Sequence, residues 1–318
     1  MKLNEAVLNM LGFCDDFVSG QEMAKTLRVS RTAIWKAIGK LCDEGYIIES
    51  DKVYGYRLSD KNIRLCLPQI EKYCGDTQII LLDSTTSTND YAKALANEGA
   101  GENTLVIARN QTNGRGRTGK TFISKDGGLY MSLILRPNLK PQDSLQITVA
   151  AAAAMSRAIM SVCDIQTQIK WVNDLYLNSK KVCGILTEGA ICAEDASLQY
   201  AILGIGLNVA LPKGGFDKEI KKIATSLYKK QEVESKIYSK IIAEFLCTFF
   251  EYYADLNRRN YMPYFREHLF LQGKKIEYEK NGVRFVGMVI GVDDDARLLV
   301  EHKGKTEALS TGEVQIKL

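Results

Sequence analysis

The sequence predicts an α+β protein of several domains, with an N-terminal winged helix-turn-helix, a central mixed α/β domain and a small C-terminal β-barrel. At 318 residues the chain exceeds what one hydrophobic core usually holds. A helical pattern with a basic face opens the chain, apolar strands and helices follow, and short strands separated by turn residues close it. The expected domains are residues 1–62, 63–270 and 271–318.

Composition sets limits on the chemistry. Hydrophobic residues make up 46% and charged residues 25% of the chain, which are values of a folded globular protein. The eight cysteines form no C-x-x-C pair, and only His268 and His302 are present, so histidine triads and protein-built metal sites are not expected. If the chain has a catalytic activity, that activity must rest on lysine, arginine, carboxylates and backbone amides. Without a signal peptide pattern or a long uncharged apolar run, we expect a cytoplasmic protein that does not enter a membrane.

The first segment has the pattern of a helix-turn-helix. A short helix is expected over Gln21–Leu27 and a turn over Arg28–Ser30, where Ser30 caps a longer helix reaching about Glu44. Between Met23 and Cys42 there are five basic residues and no acidic one. The helical spacing turns one face inward and the other outward. The inward residues are Ile34, Ile38 and Leu41, and the outward residues are Arg31, Thr32, Trp35, Lys36 and Lys40.

Two short strands, Tyr46–Glu49 and Val53–Leu58, are expected to form a wing behind this helix pair. Helix-turn-helix plus wing is a DNA-reading module. The alternative is a helical bundle with a solvated basic face, but that alternative leaves an outward Trp35 without a reason. The expected DNA contacts are Ser30, Arg31, Thr32, Trp35, Lys36, Lys40, Tyr54 and Arg57.

A hydroxyl-rich stretch follows the apolar strand Ile79–Leu82. Residues 83–89 carry five consecutive Ser or Thr side chains, and Ser87 or Thr88 is placed to cap the next helix. Capping accounts for one or two hydroxyls and does not require five. The stretch is a weak sign of a polar binding site.

A glycine-rich basic loop, residues 111–120, follows the strand Thr104–Arg109. It contains G-x-G-x-x-G, yet a dinucleotide fingerprint needs a helix directly afterwards, whereas residues 121–123 and 128–135 have strand character. Glycines that interleave Arg115, Arg117 and Lys120 favour a loop that closes over an anion. The alternative is a solvated excursion of the chain.

Further along, Asp143–Cys163 is expected to be a core helix. A hairpin turn at Asn178–Ser179 leads into a strand whose period-2 alternation places Lys181, Cys183 and Ile185 on one face. Such a lysine is functional or a structural ion-pair partner. In the strand 200–209, two glycines permit close approach of a ligand or another backbone.

The C-terminal segment carries short strands around Ile276, Val286 and Leu299. Turn-forming residues separate them at Asn281–Gly282, at 293–295 and at Lys303–Gly304. This pattern predicts the small β-barrel.

Five motifs in this order resemble the bifunctional biotin–protein ligase and biotin operon repressor family. They are Ser87-Thr88-Asn89, Gly114-Arg115-Gly116-Arg117-x-Gly119, Lys170-Trp171-x-Asn173-Asp174, Lys181-x-x-Gly184-Ile185-Leu186 and Gly204-x-Gly206-x-Asn208. The resemblance implies a biotin/lipoyl-ligase-like central domain and an SH3-like C-terminal domain that helps to bind ATP and a carrier protein. It covers nearly the whole chain.

The resemblance also implies site residues. The expected catalytic residues are Lys181, Arg117 and Asp174. Biotin is expected to contact Ser87, Thr88, Asn89, Gln111, Gly114, Arg115, Arg117, Lys181, Gly184, Gly204 and Gly206. ATP or the adenylate is expected to contact Arg117, Lys120, Trp171, Asn173, Lys181, Asn208 and Phe216. Some family members carry a tryptophan in the adenylate-side loop, and Phe216 is the candidate here because residues 212–226 contain none.

The implied substrates are biotin and ATP with Mg²⁺, and the implied partners are a biotin carrier protein, operator DNA and a second copy of the chain bound to biotinyl-AMP. Two other functions stay open at this stage. A ligand-sensing repressor without catalysis would not need Lys181 and the arginine loop. A lipoate or octanoate ligase shares the catalytic fold but lacks the Gly-Arg-Gly-Arg loop.

Overall fold

A computed structural model describes residues 2–192, 197–280, 282–310 and 314–317. The N-terminal module consists of three helices and a two-stranded wing. Its elements are α1 (Leu3–Phe13), α2 (Gly20–Leu27), α3 (Arg31–Asp43), β1 (Ile48–Asp51) and β2 (Gly55–Leu58).

Local chemistry fixes the boundaries in this module. The Ser30 hydroxyl accepts the backbone N–H of Ala33 at 3.1 Å, so α3 begins where the capping pattern predicts. Ile34, Ile38 and Leu41 of α3 are buried, which confirms the inward face. Both wing strands begin two residues later than predicted, and the three-residue turn between them moves with them to residues 52–54, where the Asp51 carboxylate accepts the N–H groups of Val53 and Tyr54.

The central domain is a seven-stranded sheet with helices on its faces. The strands follow the order β3-β4-β5-β9-β8-β7-β6, with β3 and β4 parallel and the other neighbours antiparallel. Its strands are β3 (Gln78–Thr85), β4 (Thr104–Gln111), β5 (Gly128–Leu135), β6 (Gln168–Lys170), β7 (Asp174–Leu177), β8 (Lys180–Ile191) and β9 (Leu198–Asn208). Its helices are α4 (Leu67–Cys74), α5 (Thr88–Asn97), α6 (Leu145–Cys163), α7 (Lys218–Ile223), α8 (Ser235–Tyr253) and α9 (Met262–Glu267).

Helix α6 is the core helix that the sequence predicts, although a 3₁₀ turn over Pro141–Ser144 precedes it and it begins at Leu145. By length and composition alone it could cross a membrane. Its residues from Ile147 to Ala154 are nevertheless buried without a break, in one cluster with residues of β8, β9 and α8. It belongs to the interior of the central domain.

The predicted face of Lys181 is wrong. Cys183 pairs with Leu175 and Lys181 pairs with Tyr176, so Val182 is an extra residue in β8 and forms a β-bulge. The bulge reverses the alternation. Lys181 therefore shares a face with Asp174 and Gly184, whereas Cys183 lies on the opposite face, in the core.

The strand expected over residues 121–123 is also not formed as such. Thr121 and Ser124 make isolated bridges to Arg115 and Gln111, because the chain folds back against the glycine-rich loop. Gly128–Leu135, the second strand expected after the loop, is β5.

The C-terminal segment forms a five-stranded antiparallel sheet in the order β13-β12-β11-β10-β14. Its strands are β10 (Lys275–Lys280), β11 (Val283–Val292), β12 (Leu298–His302), β13 (Lys305–Leu309) and β14 (Val314–Lys317). The strands expected around Ile276, Val286 and Leu299 are confirmed, and Asn281 of the expected first turn lies outside the described residues. Closure into an SH3-like barrel stays a prediction.

Helix α4 connects the N-terminal and central regions. Cys66, which precedes it, packs in the N-terminal core, whereas Ile70 within it packs in the central core. The C-terminal sheet contributes Ile276 and Val289 to that same central core. Near residues 62 and 270 the architecture therefore changes, but the regions on either side of each limit pack against one another. That the three regions are independent domains stays a prediction.

Candidate functional site

A pocket opens in the central domain where α5 begins, beside the glycine-rich loop and strands β8 and β9. It brings together segments that are far apart in sequence. The lining residues are Ser87, Thr88, Asn89, Gln111, Arg115, Gly116, Arg117, Phe122, Asn173, Lys181, Gly184, Ile185, Leu186, Gly204, Ile205 and Gly206.

One end of the pocket, the hydroxyl end, is formed by Ser87, Thr88, Asn89 and Ser132. Each of these four residues is at most 5% exposed. Ser87 caps α5 through the N–H of Asp90. The Ser132 hydroxyl oxygen lies 2.7 Å from Thr88 Oγ1 and 2.6 Å from Asn89 Oδ1. Buried polar groups need such partners, so this end is a connected hydrogen-bond network.

Gln111 joins the hydroxyl end to the glycine-rich loop. Its Oε1 accepts the backbone N–H of Thr88 at 2.7 Å, and its Nε2 donates to Ser124 Oγ at 2.8 Å. A side chain held from both ends keeps its amide orientation. Gly114 lies against Ser124, and a Cβ there would be 2.5 Å from Ser124 Oγ.

Glycines of β8 and β9 make room for other side chains at the pocket floor. A Cβ on Gly204 would lie 2.0 Å from Asn89 Oδ1, and one on Gly206 would lie 2.6 Å from the Phe122 ring. A Cβ on Gly184 would be 3.0 Å from Lys181 Nζ. The glycines predicted from their spacing thus sit where close approach requires them.

The other end of the pocket, the cationic end, carries Lys181 and Arg117. Lys181 Nζ lies 2.7 Å from Asp174 Oδ1 and 5.6 Å from the centroid of the Phe122 ring. Arg117 donates to Asn173 Oδ1 at 3.1 Å. Burial lowers the pKa of Arg117, and the nearby charge of Asp174 opposes that shift. A guanidinium keeps its charge under such a shift, so two cations face the pocket.

Arg115 points away from this cationic end. Its guanidinium forms ion pairs with Asp90 at the start of α5 and with Glu188 of β8, the latter at 2.5 Å. The hydrogen bond to Asp90 raises the pKa of Arg115. Arg115 therefore fastens the loop to the hydroxyl end.

Sequence reasoning missed four residues of this arrangement: Phe122, Ser124, Ser132 and Glu188. Ser132 and Glu188 lie within apolar strands, and only the sheet register brings them beside α5. The signal that could have found them is a polar side chain in an otherwise apolar strand, since a buried polar group needs a partner.

The residues expected at the nucleotide divide between two places. Asn173 lines the pocket, whereas Asn208 and Phe216 line a separate small cavity together with Tyr130. The described cavities do not include Lys120 or Trp171 in their linings, and the Trp171 indole donates to the carbonyl of Ala296 in the C-terminal sheet region at 2.8 Å. Contact of Lys120 and Trp171 with a nucleotide stays a prediction.

The N-terminal module presents the expected basic face. Trp35 is 65% exposed, Tyr54 is 67% exposed, and the polar and basic residues of α3 named above face solvent. Arg57 is engaged differently, because it binds Glu49 at 2.6 Å and stacks over Phe17. Contact of Arg57 with DNA stays a prediction.

Comparison with known proteins finds matches for both the central domain and the N-terminal module. The model of the biotin/lipoate A/B protein ligase family matches residues 81–208, and a helix-turn-helix domain model matches residues 6–57. The fold resembles a biotin protein ligase from Aquifex aeolicus solved with biotin and ATP, with a TM-score of 0.62 and 23% identity over 76% of this chain and 98% of that one. That likeness concerns the fold.

Sequence relatives extend further. The bifunctional ligase/repressor BirA of Escherichia coli strain K12 is 29% identical over 214 residues, which is 66% of each chain. The bifunctional ligase/repressor BirA of Bacillus subtilis strain 168 is 36% identical over 312 residues, covering 95% of this chain and 94% of that relative. On this similarity, which includes the winged module, the pocket and the C-terminal sheet, the chain belongs to the family of bifunctional biotin ligases and repressors.

Proposed function

We propose that this chain joins biotin to ATP, giving biotinyl-5'-AMP and pyrophosphate, then transfers biotin to a lysine of a carrier protein, and uses its N-terminal module to repress transcription. The observation that carries the enzymatic half is the pocket itself. It has a buried, neutral hydrogen-bonding end for a polar ring and a cationic end for two anions.

In the first step an oxygen of the biotin carboxylate attacks the α-phosphorus of ATP. The new C–O–P bond forms as the bond from the α-phosphorus to the bridging oxygen breaks, and pyrophosphate leaves with that electron pair. Both reactants are anions, so cations must hold them together. Lys181 and Arg117 are the residues at the pocket that supply this charge, and Asp174 and Asn173 position them.

The mixed anhydride formed in this step reacts readily with water. Retaining it requires a loop that closes over the site and excludes solvent. The loop from Gly114 to Lys120 is suited to this role, because Arg115 fastens one side of it and Arg117 reaches the pocket.

In the second step a carrier lysine amine attacks the acyl carbon, AMP leaves, and the nitrogen loses a proton. Asp174 is the carboxylate beside Lys181. Because its Oδ1 is already paired with Lys181, we assign Asp174 first to holding Lys181 and second to proton transfer.

Mg²⁺ would arrive with the ATP phosphates. Among the described residues no group of three metal-binding side chains is present. This donor set fits an ion that is bound through substrate phosphates, water and at most one or two carboxylates such as Asp174. The ion would neutralise phosphate charge.

Repression would use two copies of the winged module. One recognition helix reaches few phosphates, so a symmetric dimer on a palindromic operator is needed for specific binding. Biotinyl-AMP can drive dimerisation only if it binds the dimer more tightly than the monomer. The predicted cytoplasmic location is consistent with these interactions, since ATP and operator DNA are found in that compartment.

The enzymatic half is tested by incubating the protein with biotin, ATP, Mg²⁺ and a purified biotin carrier domain. The expected result is a mass increase of one biotinyl group on one carrier lysine, together with released pyrophosphate. A ligand sensor without catalysis would bind biotin and release no pyrophosphate. A lipoate or octanoate ligase would label its substrate in a parallel reaction with lipoate and leave biotin unused.

The regulatory half is tested by sedimentation and operator binding. We expect mainly monomer without ligand, dimer with biotinyl-AMP, and operator affinity that follows the dimer. Removal of residues 1–62 should abolish operator binding. An apo protein that is already dimeric and binds the operator equally well with and without the adenylate would exclude the coupling.

A further inference from the structure

We propose that Glu188 is a positioning residue that fixes the direction of the hydrogen bonds at the hydroxyl end of the pocket, so that Thr88 presents a lone pair to the ligand and the site demands an N–H donor. This inference rests on the proposed function, since it concerns how the ureido ring of biotin is recognised. Glu188 lies on β8, behind the hydroxyl end, and lines none of the described pocket surface.

The direction begins at the carboxylate. Glu188 binds the Arg115 guanidinium at 2.5 Å through Oε1, and its Oε2 lies 2.8 Å from Asn89 Nδ2. A carboxylate paired with arginine only accepts hydrogen bonds. Asn89 must therefore turn its NH₂ group toward Glu188 and its carbonyl oxygen toward Ser132.

The number of available protons then decides which of the Ser132 and Thr88 hydroxyl groups donates in each contact. Ser132 has one hydroxyl proton, and the Asn89 carbonyl oxygen 2.6 Å away has none to offer, so Ser132 donates to Asn89. Since the one Ser132 proton is taken by Asn89, we infer that Thr88 supplies the proton for the 2.7 Å contact between the Ser132 and Thr88 hydroxyl oxygens. The single hydroxyl proton of Thr88 is consumed inside the protein.

Thr88 Oγ1 consequently faces the pocket with lone pairs alone. Gln111 Oε1, which accepts the backbone N–H of Thr88 at 2.7 Å, is a second and longer-range acceptor for this hydroxyl proton at 3.1 Å, and in either arrangement the proton stays within the protein. An acceptor fixed in this way fits a ring N–H and repels a ring oxygen. Because Asn89, Ser132 and Thr88 are almost fully buried, no solvent molecule is needed to complete the chain.

Neutralising Glu188 removes the constraint. In Glu188→Gln the side chain can donate as well as accept, so the Asn89 amide can reverse, Ser132 can donate to Thr88, and the Thr88 proton can turn to the ligand. The test uses biotin and two biotin analogues, each with a different ureido N–H replaced by a ring oxygen. Titration calorimetry gives the ratio of each analogue's Kd to that of biotin.

For the wild-type protein we expect at least one analogue to bind roughly 10- to 100-fold more weakly than biotin, the scale of an unmatched buried polar group. In Glu188→Gln that ratio should fall by roughly tenfold, with biotin weakened and the analogue unchanged or improved. A purely structural role would weaken biotin and analogue by the same factor, and an unchanged ratio overturns the proposal.

Two further variants test the chain of hydrogen bonds that runs from Glu188 through Asn89 and Ser132 to Thr88, here called the relay. Ser132→Ala cuts the relay itself, so it should lower the ratio as much as Glu188→Gln, and the double variant should lower it no further. Asp90→Asn removes the other carboxylate partner of Arg115 without touching the Asn89 amide, so the wild-type ratio should persist. Additive effects of the first two variants, or a lowered ratio in Asp90→Asn, would contradict the relay. Wild-type protein that fails to bind biotin would instead refute the proposed function and this inference with it.

Discussion

The two ends of the pocket are built on different principles. At the hydroxyl end Thr88, Asn89 and Ser132 are almost completely buried and bind one another. At the cationic end Lys181 keeps 31% and Asp174 keeps 22% of its side-chain surface exposed, and each is the other's partner. The first end is completed before a ligand arrives, whereas the second holds charges that substrates must re-pair. Under the proposed function, recognition at the hydroxyl end would depend on packing and hydrogen-bond direction, and chemistry at the cationic end would depend on charge.

The largest effect is expected at the cationic end. Lys181→Ala should reduce formation of biotinyl-AMP by about two orders of magnitude or more, the scale of losing one preorganised group that stabilises developing charge. Biotin binding should fall much less, because the hydroxyl end remains intact. Pyrophosphate release measures the first quantity and calorimetry the second.

Lys180→Ala is the matched control, since its Nζ donates to the backbone carbonyl of Lys221 outside the pocket. That variant should retain adenylate formation. If Lys181→Ala formed biotinyl-AMP at the normal rate, another group would have to supply the positive charge at the reacting atoms. The proposed difference between the two ends of the pocket would then be wrong.

Arg117→Gly should release the adenylate early. The loss of a charge-assisted contact, about 1.5–3 kcal/mol, corresponds to release faster by about 10- to 150-fold. Free biotinyl-AMP would then label exposed lysines of bystander proteins, which a biotin blot detects. Labelling confined to the carrier would argue that other loop residues retain the intermediate.

A change at the hydroxyl end should weaken the binding of biotin and leave the rate of adenylate formation at saturating substrate unaffected. In Gly204→Ala the new Cβ would lie 2.0 Å from Asn89 Oδ1, so the Asn89 side chain must move. Overpacking of about 1–3 kcal/mol corresponds to biotin binding weaker by about 5- to 150-fold. Calorimetry with biotin and with ATP separately should show the loss for biotin alone.

Gly101→Ala is the control for that variant, because nothing lies within 4 Å of a Cβ there. It should bind biotin normally. If Gly204→Ala weakened the binding of biotin and of ATP equally, the two ends of the pocket would be coupled. The hydroxyl end would then not be a separate site formed before the ligand binds.

The same contrast explains which parts of the site the sequence could predict. Capping chemistry predicted a helix cap at Ser87 or Thr88, of which Ser87 is the cap, and the glycine-rich loop drew attention to Arg117, which lines the pocket. The contact of Ser132 and Glu188 with α5 depends on strand register over long sequence separations, and no local pattern encodes it.

The fold shows the same division. Helix α3, the hairpin turn with positive φ at Asn178 and Ser179, and helix α6 were predicted because capping, turn geometry and periodicity act locally. The bulge at Val182 was not, because it depends on pairing between β7 and β8, and it reversed the face assigned to Lys181. Period-2 reasoning fails wherever one extra residue enters a strand.

The smallest effect is expected at a third place, where adenine would bind. Phe216 and Asn208 line a cavity that is separate from the pocket holding both ends, together with Tyr130. Asn208 Nδ2 donates there to the Thr225 carbonyl at 3.0 Å, and the contact proposed for Phe216 is a ring stacked on adenine. Phe216→Ala should raise the KM for ATP by about two- to tenfold, the scale of one aromatic contact, with biotin affinity and kcat at saturating ATP unchanged. Phe216→Trp should match or exceed the wild type because it enlarges the stacking surface. If Phe216→Ala leaves the KM for ATP unchanged, or Phe216→Trp raises it as much as Phe216→Ala does, the ring does not cover the nucleotide.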